Sequence, residues 1–336
     1  MAIETGPASR SLFDNWRRVL WTCGLPKDRA VDPVSRWLMI TRACVQPMTL
    51  TSGAIAGLLA ASSPRFDGLL FALAAVGIVI AHAANNMIND FFDLRSGLDT
   101  DVSPRGLYAP HPVLGGLVTK EGLLKAIIVA NALDASIMLF LLSRRGWPIV
   151  AFAVTGLFIS VFYVAPPLRL KARGLGEPSV FVIWAPLMVG GTYYAAVGSI
   201  PADIYWASVP YGLLVMTVLM GKHIDKAPWD APAGIKTLPV LLGDVAARRV
   251  TLGLMLAFYV SIAALVAASV VTAWTLSVGV ALPLLVRTWR TYARPKPDRP
   301  PARFPVWPLW FGPWAFVHAR RAGALFVLGL VVGLIL

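Results

Sequence analysis

Apolar runs of membrane-crossing length dominate this chain, at 37–61, 69–88, 123–142, 147–165, 180–198, 204–220, 251–272, 274–286 and 322–336. About 20 such residues make a helix long enough to cross the hydrocarbon of a bilayer. Inside lipid, a helix satisfies its backbone polar groups within its own segment. The runs therefore predict an all-α, polytopic membrane protein, a bundle of nine transmembrane helices. Composition agrees: 57% of the 336 residues are hydrophobic and 14% charged, against about 45–50% and about 25% in soluble domains. Soluble, disordered and collagen-like chains are excluded. Cys23 and Cys44, the two cysteines, read as neither a disulfide framework nor a metal cluster, and the four histidines lack zinc-ligand spacing. The first fifteen residues hold no apolar run, so no cleavable signal peptide is expected.

The formal charge of +13 orients the bundle and gives no reason to expect a nucleic-acid partner. With the N-terminus and the ends of even-numbered helices placed together, that side carries 25 of the 30 Lys and Arg. The other side carries 3 (Arg65, Arg144 and Arg145), while Arg42 and Lys125 lie within runs. Positive residues favour the cytoplasm. The sequence thus predicts an integral cytoplasmic-membrane protein with its N-terminus and even-helix loops inside. Residues 1–35 read as a cytoplasmic segment whose 11–21 stretch suits an amphipathic helix on lipid headgroups. Residues 36–336 read as one transmembrane domain, in which the Pro- and Trp-rich stretch 294–314 is an interfacial connector.

Charge is scarce, so its clustering is informative. At the inner end of the second helix, Asn86, Asn89, Asp90 and Asp93 are spaced i, i+3, i+4, i+7 and share one helical face, with Asp99 and Asp101 following. After the sixth run come Lys222, His223, Asp225, Lys226 and Asp230; between the two clusters stand Tyr163, Arg169, Lys171 and Arg173. Parity puts all three on the cytoplasmic side, giving a cavity with two acidic walls and a basic one. Hard oxygen ligands suit Mg²⁺, which commonly bridges carboxylates to substrate phosphates. Arg and Lys clamp the same phosphates, and a diphosphate with a lipid tail explains why such a site lies in an apolar bundle. Asp134, inside the third helix, is expected to be a partnered acid facing the bundle, and His82 a packed, hydrogen-bonded histidine.

Asn89-Asp90-Phe91-Phe92-Asp93, continued by Ser96-Gly97-Leu98-Asp99, resembles the first signature of the UbiA superfamily of intramembrane prenyltransferases, in the style of its MenA-type (1,4-dihydroxy-2-naphthoate) members. Asp225, Asp230 and Gly234-Ile235-Lys236-Thr237-Leu238 resemble the second, with further likeness at Arg42, Gln46-Pro47 and Gly174-Leu175-Gly176-Glu177. The family's aspartate pair has three residues between its members where Asp225 and Asp230 have four, and Pro228 is expected to break the helix and re-aim Asp230. The resemblance implies a nine-helix bundle transferring a polyprenyl group from its diphosphate, with Mg²⁺, to an aromatic, quinone-precursor-like acceptor.

On this reading Asn89, Asp90, Asp93 and Asp99 hold one Mg²⁺, and Asp225 and Asp230 a second. Arg42, Asn86, Arg105, Arg169, Lys171 and Lys222 are the substrate-binding candidates. Asp93, Asp225, Asp230 and Tyr163 are the catalytic ones, with His223 a further candidate base. The partners are a prenyl diphosphate, a small acceptor and membrane lipids. A non-aromatic lipid or sugar hydroxyl is an alternative acceptor, and a transporter or lipid-binding relative an alternative class.

Overall fold

The computed structural model describes residues 12–336 apart from 27–28, 101–102, 303 and 305; Ser11 and Asp101 lie outside the described residues. Among the described residues all named elements are helical, and seven helical segments are long and apolar enough to cross a membrane: Ala43–Ala61, Gly68–Arg95, Lys120–Arg145, Gly176–Val197, Ala202–Asp230, Asp244–Ala267 and Phe311–Ile335. The other two expected spans take shorter forms. One is a 15-residue helix, Pro148–Phe162. The other is a 3-10 stretch, Ala273–Ala281, leading into an 11-residue helix, Leu282–Tyr292.

In chain order the helices are α1 (Leu12–Thr22), α2 (Pro33–Ile40), α3 (Pro47–Ala61), α4 (Gly68–Arg95), α5 (Pro104–Tyr108), α6 (Lys120–Arg145) and α7 (Pro148–Phe162). Then follow α8 (Gly176–Val182) and α9 (Gly191–Val197), joined by a π-helical Ile183–Gly190, and α10 (Ala202–Asp230). The chain ends with α11 (Leu238–Leu242), α12 (Asp244–Ala267), α13 (Leu282–Tyr292) and α14 (Phe311–Ile335).

Local chemistry sets the breaks. The first apolar run is interrupted between α2 and α3, where Arg42 adopts a left-handed backbone (φ 52°) and Pro47 starts α3. Proline suits a first helical position because its missing N–H is not needed there. Pro186 lies in the π-helical segment, where the widened turn accommodates a residue that cannot donate to the i−4 carbonyl. Pro228, expected to break its helix, does not: α10 runs on to Asp230, and Ala231 N still reaches Ala227 O at 3.0 Å. Proline removes only the bond that its own N–H would make, and α10 likewise runs through Pro210. α14 begins eleven residues before its apolar run, because Phe311–Arg321 is helical without being uniformly apolar.

Around α10 pack α12, α14 and the π-helical segment, over a core that includes Ile55, Tyr211, Leu214, Phe258 and Phe326. On α6, by contrast, Ile128, Val129 and Leu133 are exposed, as a lipid-facing helix requires. α10 meets the start of α14 at Gly221, where a Cβ would lie 2.9 Å from both Gly312 N and Phe311 C. Only glycine permits that approach.

The N-terminal segment is tied down twice. Asp32 caps α2 through Ser35 N at 2.9 Å and Ser35 Oγ at 2.6 Å, and also accepts from Trp16 Nε1 of α1 at 2.9 Å. Burial alone would raise the Asp32 pKa, but these bonds outweigh it and hold the carboxyl well below the usual range. Cys23 and Cys44 form a disulfide across a Cα separation of 5.3 Å, which corrects the sequence reading. The pairing depends on α1 folding back on α2, a fact that residues 21 apart in sequence do not announce.

Candidate active site

The break at Arg42 and the last turns of α4 build one wall of a polar pocket, whose lining includes Arg42, Asn89, Asp93 and Asp99. Behind them Asp90 is fully buried, and both its oxygens are taken by arginine. Arg42 Nε donates to Oδ2 at 3.3 Å and Arg42 Nη2 to Oδ1, while Arg105 donates to the two oxygens at 3.1 and 3.3 Å. A buried carboxylate needs such compensation, and Asp90 thereby fixes two guanidinium groups at the pocket edge. Asn86 lies outside the lining and holds the break from behind, donating to Thr41 O at 3.1 Å.

The loop after α7 forms the second wall. Arg169 takes a left-handed backbone (φ 46°) and is itself exposed, away from the pocket. The chain doubles back, so that Lys171 N donates to Tyr163 O at 2.9 Å. Lys171 and Tyr163 thus both line the pocket, and Lys171 Nζ reaches the Asp93 oxygens at 2.7 and 2.6 Å.

The third wall is the end of α10, contributing Lys222, His223 and Lys226. His223 Nδ1 donates to Glu177 Oε1 at 2.7 Å, and Glu177, wholly buried at the start of α8, also accepts from Leu238 N. Asp225 and Asp230, expected together as a second metal pair, are both absent from the pocket lining. Asp225 turns to α14, accepting from Phe311 N at 3.1 Å and Gly312 N at 2.8 Å. Asp230 Oδ1 lies 3.4 Å from Lys226 Nζ. In an unbroken helix, residues five apart point in different directions.

One divalent cation fits the first wall. Asn89 Oδ1 is buried without a hydrogen-bond partner among the described residues, in the same lining as the Asp93 and Asp99 carboxylates, and three hard oxygens suit Mg²⁺. Burial, and then the neighbouring Asp93, raise the Asp99 pKa above the usual carboxylate range. His111 stands 3.7 Å from Asp99, but as a donor: its Nδ1 accepts from Val113 N and Leu114 N, leaving the proton on Nε2. Sequence reasoning passed over Lys226 and Glu177 as site residues. The available signals were the i, i+4 spacing of Lys226 to Asp230 and a lone acid opening an apolar helix.

A cavity of about 160 Å³ lies further along α4 and α7, between these helices, α6 and the π-helical segment. It is walled by apolar side chains such as Ile78, Ile137, Phe152 and Leu187. Asn85 lines this cavity and Asn89 the polar pocket, one helical turn or about 6 Å apart along α4. Asp134 also lines the cavity, without the expected partner among the described residues. His82, as expected, is buried and bonded, 2.7 Å from Thr49 Oγ1.

Comparison with known proteins places this arrangement. The UbiA prenyltransferase family profile matches residues 50–319. A 1,4-dihydroxy-2-naphthoate octaprenyltransferase of Haemophilus influenzae is 30% identical over 229 residues, covering 65% of this chain and 72% of that protein. UbiA prenyltransferase domain-containing protein 1 of Dictyostelium discoideum is 25% identical over 240 residues, covering 68% and 71%. Among solved structures, a UbiA homologue from Aeropyrum pernix superposes with a TM-score of 0.64 at 17% identity, over 86% of this chain and 97% of that one. An Archaeoglobus fulgidus homologue bound to GPP and Mg²⁺ gives 0.54 at 17% identity, over 87% and 99%.

Proposed function

Because the chain belongs to the UbiA prenyltransferase family, we propose that it transfers a polyprenyl group from a prenyl diphosphate to an aromatic, quinone-precursor-like acceptor within the membrane, with Mg²⁺. The observation that carries this reading is the stacking of a charged pocket on an apolar cavity along α4 and α7, a diphosphate end and a hydrocarbon end in line. A naphthoate-type acceptor is supported by the activity named for the H. influenzae relative, and a prenyl diphosphate with Mg²⁺ by the ligands of the A. fulgidus homologue. The nine-span topology, with the N-terminus and the charged pocket on the cytoplasmic side, is part of the same proposal. It counts Pro148–Phe162 and the stretch 273–292 as short spans.

In this reaction the bond between the allylic C1 and the diphosphate oxygen breaks, its electron pair leaving with the diphosphate. A ring carbon of the acceptor bonds to C1 and the ring loses a proton. Arg42, Arg105, Lys171 and Lys222 grip the leaving diphosphate with charge-assisted hydrogen bonds, and Asp90 positions the two arginines. Asn89, Asp93 and Asp99 would hold Mg²⁺, which when bound neutralises diphosphate charge and stabilises the leaving group. Tyr163 offers an aromatic face to the allylic cation. His223, its Nδ1 proton engaged by Glu177, presents Nε2 as a proton acceptor. The test is acceptor-dependent product formation by detergent-purified protein with Mg²⁺, labelled geranylgeranyl diphosphate and a panel of ring and hydroxyl acceptors. Product with a ring acceptor, lost in Asp93→Ala although that variant still folds, is the expected outcome. Full Mg²⁺-dependent turnover by Asp93→Ala would refute it.

A further inference from the structure

The end of α10 presents a basic wall where a second acidic wall was expected. Asp230 has its i−4 neighbour in Lys226, and Lys226 Nζ lies 3.4 Å from Asp230 Oδ1. Lys226 is 7% exposed and lines the pocket opposite Asn89, Asp93 and Asp99. Asp225, one residue earlier and therefore about 100° round the helix, has both oxygens committed to the backbone of α14. A divalent ion on this wall would lose the Asp225 carboxylate to the helix cap and would be left with Asp230 alone, whose Oδ1, buried and without a hydrogen-bond partner among the described residues, already has the Lys226 ammonium 3.4 Å away. The residues do not fit a second metal.

We propose that Lys226 supplies the charge that a second divalent ion would bring, so that this chain handles its diphosphate with one metal ion and a resident ammonium. The inference rests on the prenyl-diphosphate reading above. Charge supports it: the pocket lining carries Arg42, Arg105, Lys171, Lys222 and Lys226 against the carboxylates of Asp93 and Asp99, so the Lys226 wall is on the side that receives an anion. Aspartate in place of Lys226 would lower the net by two charges, which is one divalent ion's worth. Geometry agrees with the arithmetic: buried lysines persist where carboxylates compensate them, and Lys226 has Asp230 on its own helix and Asp99 across the pocket.

The test counts metal ions. The full chain, purified in detergent, is titrated with Mn²⁺ in the presence of inorganic pyrophosphate, and bound Mn²⁺ is read by electron paramagnetic resonance. Wild type is expected to bind one Mn²⁺ per chain. Lys226→Asp is expected to bind two, and Lys226→Met to keep one while binding pyrophosphate about tenfold or more weakly, as loss of a charged hydrogen-bond donor implies. Two Mn²⁺ per wild-type chain, or unchanged pyrophosphate affinity in Lys226→Met, overturns the proposal even if the enzyme turns over normally. Failure of wild type to bind either Mn²⁺ or pyrophosphate overturns instead the prenyl-diphosphate reading beneath it.

Discussion

Replacing Asp225 with alanine is expected to loosen α14 and to leave metal binding intact. The Asp225 carboxylate accepts from Phe311 N and Gly312 N at the start of a 25-residue helix. The first N–H groups of a helix have no intrahelical partner and carry the positive end of its dipole. Here they are buried, with Phe311 only 1% exposed, so water does not replace a lost acceptor. A hydrogen bond to a charged group contributes about 1.5–3 kcal/mol and a helix N-cap about 1–2 kcal/mol. These contributions overlap, so Asp225→Ala should cost about 2–4 kcal/mol and Asp225→Asn, which keeps one acceptor oxygen, about half of that. At roughly 2–4 °C per kcal/mol for a large domain, the alanine variant should melt about 4–16 °C lower. Tryptophan fluorescence of the purified protein during heating reads that shift, and Mn²⁺ binding with pyrophosphate is measured on the same sample. A variant that melts like wild type but binds one Mn²⁺ fewer would refute the capping argument and restore Asp225 as a metal ligand.

Asp32→Ala removes the cap of α2 together with the link to Trp16, and should cost about 1–2 kcal/mol, measured as faster proteolysis between α1 and α2. Because Asp32 is held below its unfolded pKa, its stabilisation is fully present above about pH 4 and fades as pH falls toward the folded value. Acid titration of the tryptophan fluorescence should therefore lose one low-pH transition in Asp32→Asn. Gly221→Ala puts a methyl group within 2.9 Å of the α14 backbone, an overpacking worth about 1–3 kcal/mol or more. A normal melting temperature in that variant would show that α10 and α14 do not approach so closely.

Part of the site was legible because its information is local. Asn89, Asp93 and Asp99 follow one another on or just after one helix, and a 3.6-residue period alone places Asn89 and Asp93 on one face. Lys171 was a candidate only by proximity in sequence. The left-handed turn at Arg169 is what returns it to Asp93, while Arg169 itself, an equally plausible cation, is turned outward. The second wall was misread for a different reason. Aspartates are conspicuous in an apolar chain, and nothing in the spacing of Asp225 shows that a helix 86 residues away will need its carboxylate.

The sequence by itself determined that this chain lives in a membrane, approximately where its helices run, and that a hydrophilic face closes the second of them. These follow from the transfer of each segment between water and lipid, which is nearly a sum over neighbouring residues. Tertiary structure decided which charges meet. Successive residues on a helix point about 100° apart, so the rotation of α10 chooses between Asp225 and Lys226 for the pocket. That rotation is fixed by the close approach at Gly221 and by the buried amides of α14, contacts between segments far apart in the chain that no local pattern records.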